Sequence, residues 1–282
     1  MTKTPKKIAF VSFKGGVAKT SSSVNFAAGI KHRHPEAKVL LVDTDPQANI
    51  RSYFKLKLEG KTDFAAFLVE GAENFSPEGL HQVTAYLPEQ GKQETIDVFL
   101  TSKRLGALES ELNAKGVRRQ DELMKLRFQQ SGLAKNYDYI IVDTSPYMGL
   151  MNVNVFTFVD YLVIPVNLDA FTVATIDSVL SNLNSLQEFY PKTPKILGIL
   201  PTRLDQRSQV EKQALQHIRD KYAGKLHVFE PIGQDAGVKK AAARKQFIFD
   251  LNVRASAHYE IFTNKVLELL NNDDQEQIEA NI

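Results

Sequence analysis

Short apolar runs, almost unbroken by polar residues, alternate along the chain with stretches of helical periodicity. The runs fall at 7–13, 38–43, 96–100, 139–143, 161–166, 195–200 and 226–229; helical windows at 19–32, 119–135, 173–189, 208–222 and 256–270 separate most of them. A strand that is apolar at successive positions must be buried on both faces, and helices on each side of a parallel sheet provide that burial. The expected fold is therefore α/β, a mostly parallel twisted sheet with helices on both faces. Several runs end in polar or acidic residues, and open α/β sheets bind ligands at the carboxyl ends of their strands.

At 282 residues the chain has room for one large domain or two small ones. No repeat or low-complexity linker divides it, so 1–270 read as one domain. Within it, 51–93 read as an irregular elaboration, rich in Gly, Glu, Lys and Gln, while 271–282 (NNDDQEQIEANI) read as a frayed acidic tail. Hydrophobic residues at 43% and charged residues at 24% exclude wholesale disorder. Lys plus Arg number 35 against 33 for Asp plus Glu, so any anion-binding surface must be local rather than a property of the whole chain. The absence of cysteine removes disulfides, thiolate zinc sites, iron–sulfur clusters and thiol nucleophiles, and fits a reducing compartment. The most apolar stretch, 153–166, is broken by Asn154, Asp160 and Pro165 and falls short of the ~20 residues that a bilayer requires. The start MTKTPKK leads into IAFVSF, too short for a signal sequence, which reads as a buried strand of a cytoplasmic protein.

The segment Lys14-Gly15-Gly16-Val17-Ala18-Lys19-Thr20-Ser21 lies between the first strand and the first helix. Glycines let backbone N–H groups approach an anion, and the helix N-terminus adds its positive dipole end. In such a loop Lys19 lies against the β- and γ-phosphates, and the Thr20 hydroxyl ligates Mg²⁺, a cation that prefers oxygen donors. The ordinary G-x-x-x-x-G-K-[ST] pattern is not met, because Phe13 and Ala18 hold its glycine positions; the residues instead match KGGxxK[ST], with a second lysine at the loop's start. A glycine turn that merely enters a helix is the alternative. Two acidic strand ends weigh against it: Asp43-Thr44-Asp45-Pro46 after the second run and Asp143-Thr144-Ser145-Pro146 after YIIV. A nucleoside triphosphatase needs carboxylates near its metal and a group that orients the attacking water.

KGGVAKTSSSVNFAAGI, VLLVDTDPQANI and YDYIIVDTSPYMG resemble the three nucleotide motifs of the ParA branch of the ParA/MinD ATPases, which are P-loop NTPases. The resemblance extends over nearly the whole chain, including IDVFLTSKRLGALESEL and PTRLDQRS. It implies an ATP- and Mg²⁺-dependent switch that forms a homodimer around nucleotide. It casts Lys14 as the signature lysine that reaches the partner's phosphates, and Lys19 and Thr20 as the Walker A lysine and metal ligand. Asp45 matches the residue that positions the hydrolytic water, and Asp43 and Asp143 the acids around Mg²⁺ and its waters. Ala18 departs from the glycine of most relatives, where its Cβ bears on the loop and on turnover.

Relatives differ in the surface they occupy. ParA types bind DNA without sequence preference when ATP-bound; MinD types bind membrane through a basic amphipathic C-terminal helix. The C-terminus here is acidic, and Tyr259, Phe262, Val266 and Leu269 read as a core-facing stripe, so no membrane anchor is expected. The densest basic cluster is Lys239, Lys240, Arg244 and Lys245, with Arg254 nearby, and Lys240 and Arg244 stand one helical turn apart. By resemblance, Arg207 and Lys239 match DNA-contacting positions, and such cations give salt-dependent, sequence-blind affinity. A solvated helix face is the competing reading of the same charges. No helix-turn-helix extension precedes the first strand, so autorepression through such a domain is not expected. The function implied is partitioning of a plasmid, chromosome or other cargo with a ParB-like stimulating partner, the ATP-bound form residing on the nucleoid. The alternative is a MinD- or flagellar-type membrane-associated positioning ATPase. A biosynthetic ligase on the same scaffold, or a DNA-binding protein with an inactive nucleotide site, are further options. The six histidines fall outside the nucleotide motifs.

Overall fold

A computed structural model describes residues 4–73, 75–87, 91–251 and 253–279. Among these, the strands are β1 (Lys6–Phe10), β2 (Val39–Asp43), β3 (His81–Leu87), β4 (Lys92–Phe99), β5 (Tyr139–Asp143), β6 (Tyr161–Asn167), β7 (Lys195–Leu204) and β8 (Ile232–Gly233). They form one sheet in the order β3-β4-β2-β5-β1-β6-β7-β8, parallel throughout except for the antiparallel edge pair β3 and β4. Because β5 lies between β2 and β1, the three strand ends that carry the nucleotide motifs are adjacent. Asp43 and Phe10 each stand opposite Asp143 in the register.

Successive residues of a strand point to opposite faces, and both faces here are apolar. Ile8, Phe10, Leu41, Ile141 and Val163 belong to one core, Ala9, Leu40, Val42, Ile140, Val142 and Leu162 to the other. The first core is closed by α1 (Lys19–Arg33), α2 (Asn49–Phe54) and the last helix, through Phe26, Phe54 and Phe262. The second is closed by α3 (Phe64–Glu70), α4 (Leu108–Ala114), α5 (Leu123–Ser131), α6 (Leu150–Phe158), α7 (Thr172–Gln187) and α8 (Gln209–Tyr222). The α8 start is set by Ser208, whose hydroxyl accepts the Glu211 N–H. A short α9 (Ala236–Arg244) precedes the final α10 (Arg254–Glu279). Tyr259, Phe262 and Val266 are buried and Leu269 packs against the same core, so the apolar stripe of α10 is consumed inside the domain. Gly29 allows that packing: a Cβ there would overlap Thr263 Oγ1. No described helix is long and apolar enough to cross a membrane.

The structure departs from the sequence reading in four places, the first being that the strand expected at 226–229 is a single bridge between Ile199 and Val228. The elaboration at 51–93 contains the end of α2 and all of α3 and β3, the last an edge strand with Val83 and Ala85 buried. The helical window 119–135 is interrupted at Gly132, whose φ of 65° ends α5. The acidic segment from 271 does not fray at its start; α10 carries it to Glu279, and 280–282 lie outside the described residues. Tyr161 Oη donates to Asp273 Oδ2 at 2.7 Å, Lys195 pairs with Asp273 and Lys6 pairs with Asp274, so the acids are drawn onto the amino ends of β1, β6 and β7.

Candidate nucleotide site

The loop from Lys14 to Ala18 leaves β1 exposed at Gly15 and Gly16 and re-enters the fold at buried Val17 and Lys19. Gly16 has φ 76°, which suits glycine, and Ala18 caps α1 at φ 62°, which does not. Left-handed geometry costs an L-residue about 1–2 kcal/mol, while alanine restricts the unfolded chain by about 0.4–1 kcal/mol relative to glycine. Ala18→Gly is thus expected to stabilise the fold by about 0.5–1 kcal/mol, a rise in Tm of about 1–3 °C by calorimetry. A fall in Tm would mean that the Ala18 methyl packs usefully. The loop is tied to its neighbours by Thr202 Oγ1 donating to Val17 O at 3.3 Å and Asn167 Nδ2 to Gly16 O at 3.4 Å, while Asn25 Nδ2 holds Ser21 O at 2.7 Å.

Lys19 is 7% exposed, and its Nζ donates to Lys14 O at 3.2 Å, curling over the loop. Burial lowers its pKa, opposed by Asp143 and Asp45. Thr20 Oγ1 donates to Asp143 Oδ2 at 2.6 Å. Asp143 is fully buried and its Oδ1 has no hydrogen-bond partner. Burial pushes its carboxyl up to about 7 against the pull of Thr20 and Lys19. A buried, orphaned carboxylate oxygen beside a hydroxyl is an oxygen-only donor set, which fits a hard cation that takes its remaining ligands from phosphate and water.

Asp43 sits next to Asp143 but is used differently. Its Oδ1 accepts the Asp45 N–H and its Oδ2 the Ile50 N–H, both at 3.1 Å. Burial and the Asp143 charge hold its carboxyl well above the usual range. Its visible work is to shape the loop that carries Asp45. Asp45 is 4% exposed; its Oδ1 accepts the Gln47 N–H at 2.9 Å and its Oδ2 accepts Asn49 Nδ2 at 3.1 Å. The two Asp-Thr pairs lash the strand ends together: Thr44 Oγ1 donates to Asp143 O and Thr144 Oγ1 to Phe10 O, each at 2.7 Å. The repeated Asp-Thr is the signal in the sequence for these threonines, whose bonds depend on the strand order.

Lys14 turns towards its own chain. Its ammonium pairs with Asp169 and stands 5.3 Å from the Phe171 ring centroid. Partial burial raises the Asp169 pKa, but the bonds from Lys14 and the Phe171 N–H outweigh it and the net shift is downward. A half-exposed ammonium takes the nearest carboxylate, and Asp169 follows β6, the other neighbour of β1. Around this mouth Tyr147 (76%), Phe171 (66%) and Met148 (37%) are the exposed large apolar side chains. Asn152 Nδ2 holds the Tyr147 loop through Ser145 O and Tyr147 O.

The basic residues divide into two groups. Lys239, Lys240, Arg244 and Lys245 are all exposed on α9 or its cap, and none forms an ion pair among the described residues. Arg207 is also exposed, but its guanidinium pairs with Asp205 at 3.2 Å, and it lines a separate 380 Å³ cavity with Arg254 and His258 at the ends of β7 and β8.

A family model for an AAA domain matches residues 5–196, more than half of the chain. The sequence is similar to the sporulation initiation inhibitor protein Soj of Bacillus subtilis, 29% identical over 223 residues that cover 79% of this chain and 82% of Soj. It is likewise similar to the chromosome partitioning protein ParA of Myxococcus xanthus, 29% identical over 221 residues, 78% of this chain and 71% of that protein. Its fold matches that of a Cyanothece McdA variant in complex with ATP, with a TM-score of 0.74 at 22% identity, covering 95% of this chain and 97% of the other. With its nucleotide motifs gathered at the ends of β1, β2 and β5, the chain belongs to the AAA-domain family and, within it, to the ParA branch of the ParA/MinD ATPases.

Proposed function

We propose that the protein is an ATP-driven partitioning switch. It binds ATP with Mg²⁺ at the loop after β1, associates with a second copy across that mouth, and in this form binds DNA without sequence preference. A ParB-like partner stimulates hydrolysis and release, so that a plasmid, chromosome or other cargo is positioned. The observation that carries the reading is the buried constellation of Lys19, Thr20 and Asp143 with its orphaned carboxylate oxygen. Thr20 and Asp143 would hold Mg²⁺, which would neutralise phosphate charge. Lys19 binds the phosphates, and Asp45, fixed at both oxygens, orients the attacking water. Asp43 acts through the Asp45 loop.

Lys14 and the exposed Tyr147, Met148 and Phe171 surround the mouth, a rim of the kind that a second copy covers. There Lys14 would exchange Asp169 for the partner's phosphates. Gly15, Gly16, Val17, Ala18 and Ser21 supply loop backbone. The unpaired cations of α9 face DNA phosphates, with Arg207 a secondary contact because it must first leave Asp205. The apolar face of α10 is spent on the core, which favours DNA over a membrane surface. Binding to a non-specific duplex, followed by fluorescence anisotropy across a salt series, tests this. With ATP the affinity should exceed that with ADP by about tenfold or more, a difference of about 1.4 kcal/mol. Log affinity should fall with log salt at about −3 to −4 for the four α9 cations of each protomer. Affinity indifferent to nucleotide, or none at all, contradicts the reading.

A further inference from the structure

A second basic surface lies beside the nucleotide site, and its three cations fall outside the nucleotide motifs. Arg51 and Lys55 on α2 and its cap, and Lys103 in the turn after β4, line a concavity of 500 Å³ together with Gln47, Ala48 and Leu56. Arg51 and Lys55 are four residues apart and so share a face. Lys55 and Lys103 are exposed and Arg51 is half-buried. No carboxylate lines the concavity, and among the described residues none of the three cations is ion-paired; Arg51 Nε makes only a long bond to Leu56 O at 3.4 Å. At the other end of the sheet, by contrast, Lys7 and Lys192 meet Asp160. Three uncompensated cations around one hollow fit a phosphodiester backbone.

Two further observations connect this hollow to DNA and to nucleotide. Tyr53 Oη of α2 donates to Gln246 O at 3.2 Å, and the Phe54 and Phe247 rings lie 5.2 Å apart, so α2 is seated against the end of α9 and the two sets of cations are neighbours. The start of α2 hangs from the nucleotide site itself: Ile50 N–H donates to Asp43, Asn49 Nδ2 to Asp45 and Ala48 N–H to Asp45 O at 2.8 Å. On the opposite wall, a Cβ on Gly106 would stand 3.7 Å from Pro46 Cβ, so the turn that carries Lys103 rests on the same loop. A ligand shifts a conformational equilibrium only through contacts that differ between its states, and Asp45 is the group closest in role to the γ-phosphate.

We propose that the hollow between α2 and the turn after β4 grips DNA backbone phosphate, and that the Asp45 loop sets its opening according to the nucleotide bound. The proposal rests on the DNA-binding reading above and adds to it a second contact and the linkage. The triple variant Arg51→Gln, Lys55→Gln, Lys103→Gln removes charge and keeps the side-chain stems. With ATP, its affinity for a non-specific duplex should fall about tenfold or more, and its salt slope should become shallower by about 2 to 3 per protomer. Its affinity for fluorescent ATP should not change. A parent that binds DNA and a variant with the same affinity and slope overturn this inference alone. Equal losses with ATP and ADP overturn the linkage, and a loss of ATP affinity instead assigns the hollow to the nucleotide site. A parent that binds no duplex in any nucleotide state removes the underlying reading as well.

Discussion

Lys19→Ala should weaken ATP binding by about 100-fold or more, roughly 3 kcal/mol, the range found when one partner of a buried charge cluster is removed. Lys19 is the one cation of the loop that is buried, and it faces Asp143 and Asp45 across the space the phosphates would enter. Without it, a triphosphate meets two carboxylates with no buried cationic side chain to offset them, leaving that work to the loop's backbone dipoles and to the Mg²⁺ that Thr20 and Asp143 would hold. Titration with a fluorescent ATP analogue measures the loss, and circular dichroism confirms that the variant folds. Among the described residues its Nζ holds one backbone carbonyl, so the fold should survive. An affinity within threefold of the parent would place the phosphates elsewhere.

Asp45→Ala separates binding from hydrolysis. The side chain is clamped by Gln47 N–H and Asn49 Nδ2 and makes no bond to Lys19 or Thr20. Its removal should leave ATP affinity within about threefold, while turnover falls by about 10²–10³, the usual contribution of a group that handles the proton of an attacking water. Losing both of its hydrogen bonds should also lower stability by about 1–3 kcal/mol, visible as a lower Tm. Phosphate release against time, with ATP saturating, reads the turnover. A variant that hydrolyses at the parental rate would move the water-orienting role to another residue.

The candidate nucleotide site is legible in the sequence because its parts are local: KGGVAKTS is contiguous, and each acid closes an apolar strand. Their convergence followed from the parallel sheet, in which β5 falls between β1 and β2. Contacts that span the chain were not legible. The Lys14–Asp169 pair and the Asp273 and Asp274 clamps on Lys195 and Lys6 join residues far apart in sequence, and no spacing announces them. β3 is hard to read from sequence because HQVTAYL alternates buried Val83 and Ala85 with polar residues, a weaker signal than the doubly buried strands beside it. The expected strand at 226–229 is reduced to a single bridge between Ile199 and Val228, with the short β8 following at Ile232. Ala18 was legible as a departure from glycine, but its left-handed backbone needed the structure.

In the proposed switch ATP, and not ADP, joins two chains across the mouth edged by Tyr147, Met148 and Phe171. The molar mass of the Asp45→Ala variant by light scattering, in Mg²⁺ with ATP and then with ADP, addresses it directly because slow turnover preserves the ATP state. The mass should be twice the 31.7 kDa of one chain with ATP and that of a single chain with ADP. A single-chain mass in both nucleotides, with ATP demonstrably bound, would contradict it.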